Sequence, residues 1–477
     1  MRVGDVTDRL LDRVDSAARQ AGAWFEPTLR LGVTGLSGAG KTVFITALIA
    51  SLLKRGRLQG FTPAAEGRIL GVLLGAQPDP AVPRFAYERH VAALTGHPRA
   101  WPASTRSVSQ LRLSIRHRDT GLLGGIGGPP VLHLDIVDYP GEWLLDLELI
   151  EQSYETWATG ALAAAQSPAR RDYAADWWRA LAAADPAAPH EEPAAEALAQ
   201  AYAAYLGACR KAGLAALSPG RFLMPGELAG SPALTFAPLP RPSKIPPGGL
   251  YAQMRTRFEA YKRHVAKPFF KDCFAKLDRQ VVLIDALAAL ARGPRALGDL
   301  IAGLEGTLAA FRHGRPGWLE RLVGARRIDR LVIAASKADH LHHIEHPRLT
   351  RLVEAMVSTA AARATFKGAE LRVMAIAAIR ATVEQEITRR EGRLSMVRGV
   401  RADTRREIAV HAGALPDDPR PLLAAAADPG TAAADWPDAA FAQIPFAPPG
   451  WGGRGEDGPP HIRLDKLLDF LLSDRLE

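Results

Sequence analysis

A glycine-rich loop near the start of the chain has the residue types needed to hold a polyphosphate. Residues 35–42 read GLSGAGKT and match the pattern G-x-x-x-x-G-K-[S/T] at every fixed position. Glycines let successive backbone N–H groups converge on phosphate oxygens, and the positive end of a following helix adds to the attraction. Lys41 is expected to contact the β- and γ-phosphates, and the Thr42 hydroxyl to bind Mg²⁺. The expected nucleotide contacts in this loop are Gly35, Ser37, Gly38, Ala39, Gly40, Lys41, Thr42 and Val43.

The tetrapeptide DYPG supplies a carboxylate suited to the same ion. Asp138 ends the apolar run VLHLDIV, where it can hold Mg²⁺ through water, and the Gly141 N–H can contact the γ-phosphate. Thr105 is our choice for the threonine that closes over the ion, with Ser104 as the alternative. Glu142 stands where a G domain often has a glutamine that orients the attacking water. A carboxylate beside a polyanion cannot take over the role of that neutral amide well. We therefore expect slow hydrolysis that a partner could accelerate, with Lys41, Thr105, Gly141 and Glu142 as the catalytic set.

The tetrapeptide SKAD at 336–339 has the chemistry to select a base. Guanine presents two adjacent donors, N1–H and the 2-amino group, and the Asp339 carboxylate can accept both. Adenine offers no such pair, so it would leave a desolvated carboxylate unpaired, which discriminates strongly. Lys337 would lay its stem along the base. Ser336 departs from the usual Asn or Thr but keeps a hydroxyl for bracing the neighbouring loops.

The order of these motifs along the chain carries more weight than any one of them. They follow the order found in G domains, and each comes after a predicted strand, where ligands of open α/β sheets bind. A further loop should follow the strand at 371–377, where the N–H of Ala378, beside Ile379, would contact the guanine oxygen. The sequence thus predicts Mg²⁺-dependent binding of GTP and GDP with slow GTP hydrolysis. An ATPase of the same fold and a nucleotide-gated scaffold with negligible hydrolysis remain alternatives.

The elements that must position these motifs alternate between strands and helices. Periodicity predicts a helix over Thr42–Arg55, and a Gly/Pro/Arg-rich excursion over residues 56–104. The predicted strands are Leu29–Thr34, Ser107–His117, the VLHLDIV run, Val281–Asp285, Leu331–Ala335 and Leu371–Ala377, the second and third forming an antiparallel pair. This pattern predicts an α/β fold of the P-loop NTPase, G-domain-like class: a mostly parallel sheet with helices on both faces, plus a large α-helical insertion.

Composition shifts divide the chain into five parts. We predict an N-terminal amphipathic helix (1–25), a first part of the G domain (26–158), a helical insertion (159–275), a second part with the guanine-binding loops (276–410), and a Pro/Gly-rich segment with a terminal helix (411–477). Residues 411–460 should be loosely ordered. The terminal helix is predicted from four leucines on one face, Leu464, Leu467, Leu468 and Leu471.

Charge and composition limit the remaining possibilities. The net charge of +9 suits a phosphate ligand or an anionic surface, but basic clusters with interleaved aromatics are missing, so nucleic acid is not an expected partner. No apolar run is long enough for a membrane span, and we expect a cytoplasmic protein. The histidines of DHLHHIEH are interpreted as a solvated helix start rather than a metal site, and Asp285 as a helix cap.

With these motifs in place, the sequence resembles the YcjX family of bacterial stress-associated P-loop GTPases. The resemblance rests on GLSGAGKT, STR, DYPGEWLLDL, PGRFLMPGELAG, VLIDAL, SKADH and the terminal PHIRLDKLLDFLL, and so runs over most of the chain. It implies nucleotide contacts at Lys41, Thr42, Thr105, Asp138, Gly141, Lys337 and Asp339. It also implies cytoplasmic or membrane-peripheral placement and a stress-response role alongside an integral membrane partner.

Overall fold

The computed structural model describes residues 26–36, 38–103, 107–118, 129–310, 328–361, 369–390, 392–428, 436, 444–451 and 457–477. Three predictions fall outside these residues: the N-terminal helix, the loop contact Ser37, and the choice of Thr105 over Ser104.

A seven-stranded sheet with the order β2-β3-β4-β1-β5-β6-β7 forms the centre of the molecule. Strands β4, β1, β5, β6 and β7 run parallel to one another, whereas β3 pairs antiparallel with both β4 and the edge strand β2. This architecture confirms the predicted fold class and the predicted antiparallel pair. The strands are β1 (Thr28–Gly35), β2 (Ile69–Leu74), β3 (Ser109–His117), β4 (Val131–Asp138), β5 (Arg279–Ile284), β6 (Arg330–Ala335) and β7 (Glu370–Ala375).

Helices cover both faces of this sheet because its central strands are apolar on both sides. In β5, Val281 and Leu283 pack into one core cluster, and the alternating Val282 and Ile284 pack into another. The described α-helices are α1 (Lys41–Lys54), α2 (Thr62–Ala65), α3 (Tyr87–Thr95), α4 (Glu142–Leu149), α5 (Tyr154–Gln166), α6 (Ala175–Ala182), α7 (Glu192–Lys211), α8 (Gly220–Leu223), α9 (Leu250–Tyr261), α10 (Lys267–Asp272), α11 (Ala286–Ala291), α12 (Pro294–Ala310), α13 (His346–Ala361), α14 (Arg420–Ala427) and α15 (Leu464–Leu472).

The helices between β4 and β5 pack around a third core of their own. This core is rich in aromatic rings: Trp157 of α5 stacks on Phe258 of α9 with ring centroids 4.9 Å apart, and Tyr202 of α7 packs edge-on to Trp157. A π-helical turn, Lys262–Ala266, joins α9 to α10. The Ala-rich sequence therefore forms helices because these large rings give each of them a buried face.

Three segments differ from the sequence expectation. The excursion at 56–104 contains β2, an edge strand whose Leu70, Leu73 and Leu74 remain exposed. The second part of the predicted G domain, residues 276–410, also forms a separate antiparallel sheet that was not predicted, of β8 (Thr382–Arg389), β9 (Gly392–Val400) and β10 (Glu407–Val410). The segment expected to be loose contains α14. β2 and α14 have only 6 and 8 residues, too few to show a clear period, and β8 and β9 contain many polar and charged residues, which weakens the apolar alternation.

Helix α15 packs into the core on the face of the sheet that α1 also covers. Its four predicted leucines are all buried, in the same cluster as residues of β1 and α1, which confirms the helix predicted from their spacing. Among the described helices, none combines the length and apolarity that a membrane span requires.

Candidate nucleotide-binding site

The loop between β1 and α1 has the backbone geometry of a phosphate cradle. Gly38 and Gly40 adopt left-handed conformations with φ of +80° and +81°, which side-chain-bearing residues rarely adopt. Gly40 immediately precedes α1, so the backbone N–H groups of the first helical turn point toward the loop. The Leu36 N–H donates to the Leu283 carbonyl of β5 over 3.1 Å, which anchors the start of the loop to the sheet.

Lys41 and Asp138 meet at the base of this loop. The Lys41 ammonium contacts Asp138 Oδ1. The carboxyl is only 1 % exposed, and its Oδ2 has no hydrogen-bond partner among the described residues. Thr42, the neighbouring hydroxyl, is also buried. A buried carboxylate oxygen without a protein partner can accept a hydrogen bond from a metal-bound water. The residues present therefore fit an Mg²⁺ ion.

Gly141 lies directly against the phosphate loop. A Cβ at this position would come within 2.6 Å of the Gly35 carbonyl oxygen, closer than any side chain can approach backbone. The glycine is therefore required for the close packing of the DYPG turn on β1. This contact brings the backbone that precedes α4 next to the loop expected to hold the phosphates.

The SKAD loop is held in place by its own side chains. Ser336 Oγ donates to the Ile284 carbonyl over 3.0 Å, so the hydroxyl braces β5 against β6. Lys337 adopts a left-handed conformation, with φ of 60°, and its ammonium pairs with Asp285. Asp285 also accepts from the Ala288 N–H at the start of α11, so it is the helix cap that the sequence indicated.

Asp339 is buried in this loop, with 4 % of its surface exposed. Its Oδ2 accepts from the Ala381 N–H at 2.8 Å, and its own carbonyl accepts from the Thr382 hydroxyl. The loop after β7 runs beside it. There the Ala377 N–H and carbonyl pair with Ile462, whereas the Ala378 N–H has no acceptor within the described part of the chain. Asp339 and the Ala378 N–H are therefore an acceptor and a donor on adjacent loops.

A single cavity of about 390 Å³ connects these loops, a volume within the usual range for small-molecule sites. The predicted residues that line it are Gly35, Gly38, Ala39, Gly40, Lys41, Thr42, Val43, Glu142, Lys337, Asp339, Ala378 and Ile379. Asp138 and Gly141 stand just behind this lining, through their contacts with Lys41 and Gly35. The structure thus brings together every predicted site residue that it describes.

Sequence reasoning missed an aromatic part of the cavity wall. Trp101 donates its indole N–H to the Phe446 carbonyl over 2.7 Å, and the Phe446 ring lies 5.2 Å from that of His340. All three residues line the cavity, and burial lowers the pKa of His340, which favours its neutral form. Phe446 comes from the segment expected to be loose. No local pattern could have placed it here, because Trp101 and His340, the residues that it contacts in the cavity wall, lie more than 100 residues away in sequence.

Arg210 is a second unpredicted residue in the cavity. It lies in the last turn of α7, within the helical insertion, and its Nε is 3.2 Å from Glu142 Oε1. Glu142 itself is buried at the first position of α4. The residue where a glutamine was expected therefore faces a guanidinium from another part of the chain.

The histidine-rich segment after Asp339 is not the solvated helix start that the sequence suggested. His342 and His346 are both buried, and His346 Nε2 is 2.8 Å from the Ala338 carbonyl, which supports the SKAD loop. Ligand atoms of His342, His343 and Glu384 lie within 4.8 Å of one another. Arg380 is 3.5 Å from Glu384 and already compensates its charge, so this group does not require a cation.

Known proteins resemble this chain over nearly its whole length. The model of the YcjX-like family, DUF463, matches residues 29–476. A protein of Escherichia coli (strain K12) named "Ras-like GTPase YcjX" is 36% identical over 464 residues, covering 94% of this chain and 96% of that protein. A protein of Shewanella oneidensis with the same name is 37% identical over 473 residues, covering 94% and 95%. The similarity thus spans every strand and loop that forms the cavity.

Proposed function

This chain belongs to the YcjX-like family, and from that premise we propose that it binds Mg²⁺-GTP and GDP and hydrolyses GTP slowly. One observation supports the proposal most strongly: the phosphate loop and the Asp339 carboxylate line the same cavity. A nucleotide seated there could reach both at once. The names of the two relatives agree with this assignment.

In the proposed complex, the phosphates lie at the loop of residues 35–42. Backbone N–H groups of the loop and the Lys41 ammonium hold the β- and γ-phosphates, which requires Lys41 to leave Asp138. Thr42 and Asp138 hold Mg²⁺, which neutralises charge on the phosphate oxygens when bound. We place Thr105 over the same ion and the Gly141 N–H at the γ-phosphate.

The base lies at the opposite end of the cavity. Asp339 accepts the guanine N1–H and 2-amino donors, the Ala378 N–H beside Ile379 donates to the guanine oxygen, and the Lys337 stem covers the ring. Binding of adenine would leave Asp339 desolvated without its donors, and this cost would exclude ATP.

We further propose that nucleotide state acts as a switch, a hypothesis motivated by the order of the motifs along the chain. GTP would order the segment near Thr105 and the loop after Gly141, and hydrolysis would release them. A bacterial stress-response role, with cytoplasmic or membrane-peripheral placement and an integral membrane partner, rests on the family resemblance alone. Co-sedimentation with anionic vesicles, with and without GTP, tests the membrane part.

A competition titration with a fluorescent guanine nucleotide tests the assignment. GTP and GDP should displace the probe at concentrations at least about 100-fold lower than ATP, because the base contacts differ by two charge-assisted hydrogen bonds. Lys41→Ala should abolish binding of all three. Equal or tighter ATP binding would contradict the guanine assignment and favour an ATPase. Tight GTP binding without phosphate release over hours would favour the scaffold, for which Glu142 at the usual glutamine position is the motivating observation.

A further inference from the structure

A guanidinium from the helical insertion reaches the phosphate-binding end of the cavity. Arg210 lines this cavity, although 68 residues separate it from Glu142, its ion-pair partner. Arg210 contacts Glu142 through Nε. Its terminal nitrogens donate to no acceptor among the described residues. About a third of the side chain is exposed, and the residue lines the cavity. The guanidinium therefore has donors available for a ligand in the cavity.

Lys41 and Lys337 also line the cavity, but each is placed for a task other than that of Arg210. Lys41 belongs to the phosphate loop and contacts Asp138, and Lys337 contacts Asp285 beneath the base-binding loop. Arg210 instead faces Glu142, the residue that follows Gly141. Since Gly141 packs against the start of the phosphate loop, this end of the cavity is where the γ-phosphate would lie.

We propose that Arg210 is a catalytic residue supplied by the helical insertion, which stabilises the charge that develops on the γ-phosphate during GTP hydrolysis. The inference rests on the proposed GTPase function and goes beyond it, because it assigns the insertion a chemical role. Glu142 holds the guanidinium beside the phosphate loop when no γ-phosphate is present. When GTP binds, the terminal nitrogens of Arg210 turn to the γ-phosphate oxygens.

Tight packing between the insertion and α4 fixes this geometry. A Cβ on Gly220 of α8 would come within 2.2 Å of the Glu142 carbonyl oxygen, so these two backbones are in direct contact. The Gly220 N–H donates to Asp146 at 2.7 Å, and the Trp143 indole donates to the Met224 carbonyl at 3.1 Å. The distinctive DYPGEW and RFLMPG segments are thus the two sides of one interface. That interface positions α7 and its Arg210 relative to the phosphate loop.

The reaction places definite demands on this arginine. A water oxygen forms a bond to the γ-phosphorus, the bond from that phosphorus to the β–γ bridging oxygen breaks, and its electron pair stays on the bridging oxygen of GDP. The proton of the attacking water ends on the released phosphate. Negative charge spreads over the γ-phosphate oxygens during this transfer, and a planar guanidinium with several donors stabilises it better than an ammonium can.

The pairing also explains how Glu142 can stand next to a polyanion. A buried carboxylate at this place would repel the γ-phosphate on its own, but Arg210 compensates its charge. Glu142 then acts as a positioning residue for Arg210 rather than as a substitute for the missing glutamine.

Single-turnover hydrolysis of GTP by the full chain tests the inference. Arg210→Ala should lower the rate constant by about 10³-fold or more, the effect typical of an arginine at this step. Arg210→Lys should lower the rate constant nearly as much, because a lysine lacks the planar guanidinium with its paired donors. GDP affinity and the thermal midpoint should remain within error of wild type. Arg241→Ala is the matched control, since Arg241 pairs with Glu155 on the exposed surface of the same insertion and should leave the rate unchanged.

Binding of GDP with aluminium fluoride, which mimics the transferring phosphoryl group, separates a catalytic role from a structural one. Wild type should bind GDP far more tightly when aluminium fluoride is present, and Arg210→Ala should lose that gain while binding GDP alone normally. A variant with wild-type hydrolysis, or one that loses GDP affinity and aluminium fluoride response equally, would overturn the role of Arg210. Failure of the wild-type protein to hydrolyse GTP would instead contradict the proposed function on which it rests.

Discussion

Asp138 links the parts of the phosphate site through its two oxygens. One contacts the Lys41 ammonium, and the other is buried without a protein partner in the described part of the chain. In the proposed complex, Lys41 leaves this carboxylate for the phosphates, and the free oxygen of Asp138 accepts from the water shell of Mg²⁺. This arrangement predicts that magnesium and the lysine compete for, or share, the same carboxylate.

Asp138→Asn tests this arrangement at constant volume. The amide keeps the shape but loses the charge, so GTP affinity in the presence of Mg²⁺ should fall about 10-fold, the cost of weakening one charge-assisted contact. Affinity in excess EDTA should stay equal or rise, because Lys41 is no longer held by Asp138. Calorimetric titrations in Mg²⁺ and in EDTA measure both. An identical loss in the two buffers would show that Asp138 does not act through the ion.

At the scale of elements, the interface between α4 and α8 connects the insertion to the nucleotide site. Gly220→Ala would place a methyl group on the Glu142 carbonyl and should lower stability by roughly 1–3 kcal/mol, the usual cost of overpacking. The control is Gly207→Ala on α7, where a Cβ would meet no atom within 4 Å. That change should be neutral or stabilising by up to about 1 kcal/mol. Chemical denaturation of both variants measures the difference, and equal effects would contradict the packing described.

Asp146 makes the same interface sensitive to pH. Its carboxyl is fully buried, and burial raises its pKa to about 6 despite hydrogen bonds from the Tyr261 hydroxyl and the Gly220 N–H. A carboxyl with a raised pKa binds its proton more tightly in the folded state, so its stabilising effect is present at low pH and lost as pH rises through about 6. The contribution of Asp146 to folding stability is therefore greater at acidic pH than at pH 7.

The comparison of wild type with Asp146→Asn isolates this titration. The thermal midpoint of wild type, relative to that of the variant, should be higher at pH 5 than at pH 7. The difference should be equivalent to roughly 1 kcal/mol. Other titrating groups cancel in this difference. A difference that is constant between pH 5 and 7, or that grows with pH, would contradict a raised pKa.

Elements with strong local signals could be predicted, and those defined by distant contacts could not. The strand–GLSGAGKT–helix unit and α15 follow from glycine chemistry and from leucine spacing. Strand β2 was missed because its one-sided burial and Gly71 disrupt the apolar pattern. The site residues of the motifs could be assigned in the same way. Arg210 and Phe446 could not, because only the folded insertion and C-terminal segment bring them to the cavity.

At the scale of the whole molecule, the C-terminal helix is part of the nucleotide-binding core. Helix α15 packs under β1 and α1, and the preceding Ile462 pairs with Ala377 at the base-binding loop. Arg279 of β5, which is fully buried, pairs with Asp474 just beyond the helix. The end of the chain thus supports the loop after β7 through Ile462, and the opposite edge of the sheet, where β5 begins, through Asp474.

Leu468→Ala tests the role of α15. The leucine is fully buried, so the cavity should lower stability by about 2–5 kcal/mol and the thermal midpoint by several degrees. Lys466→Ala, at an exposed position of the same helix, should change stability by less than about 0.5 kcal/mol. Saturating GDP should raise the midpoint of both variants. If Leu468→Ala left the midpoint unchanged, α15 would not be part of the core.

The central claim is that one cavity holds a nucleotide with its phosphates at residues 35–42 and its base at Asp339. Replacing Asp339 by Asn tests it most directly with xanthosine triphosphate (XTP), which has a carbonyl where guanine has the 2-amino group. The amide oxygen can still accept from N1–H, whereas the amide nitrogen donates to that carbonyl and cannot accept from the guanine amino group. In competition titrations, wild type should prefer GTP over XTP by about 100-fold, and Asp339→Asn should reverse the preference. An unchanged preference for GTP in the variant would contradict the account.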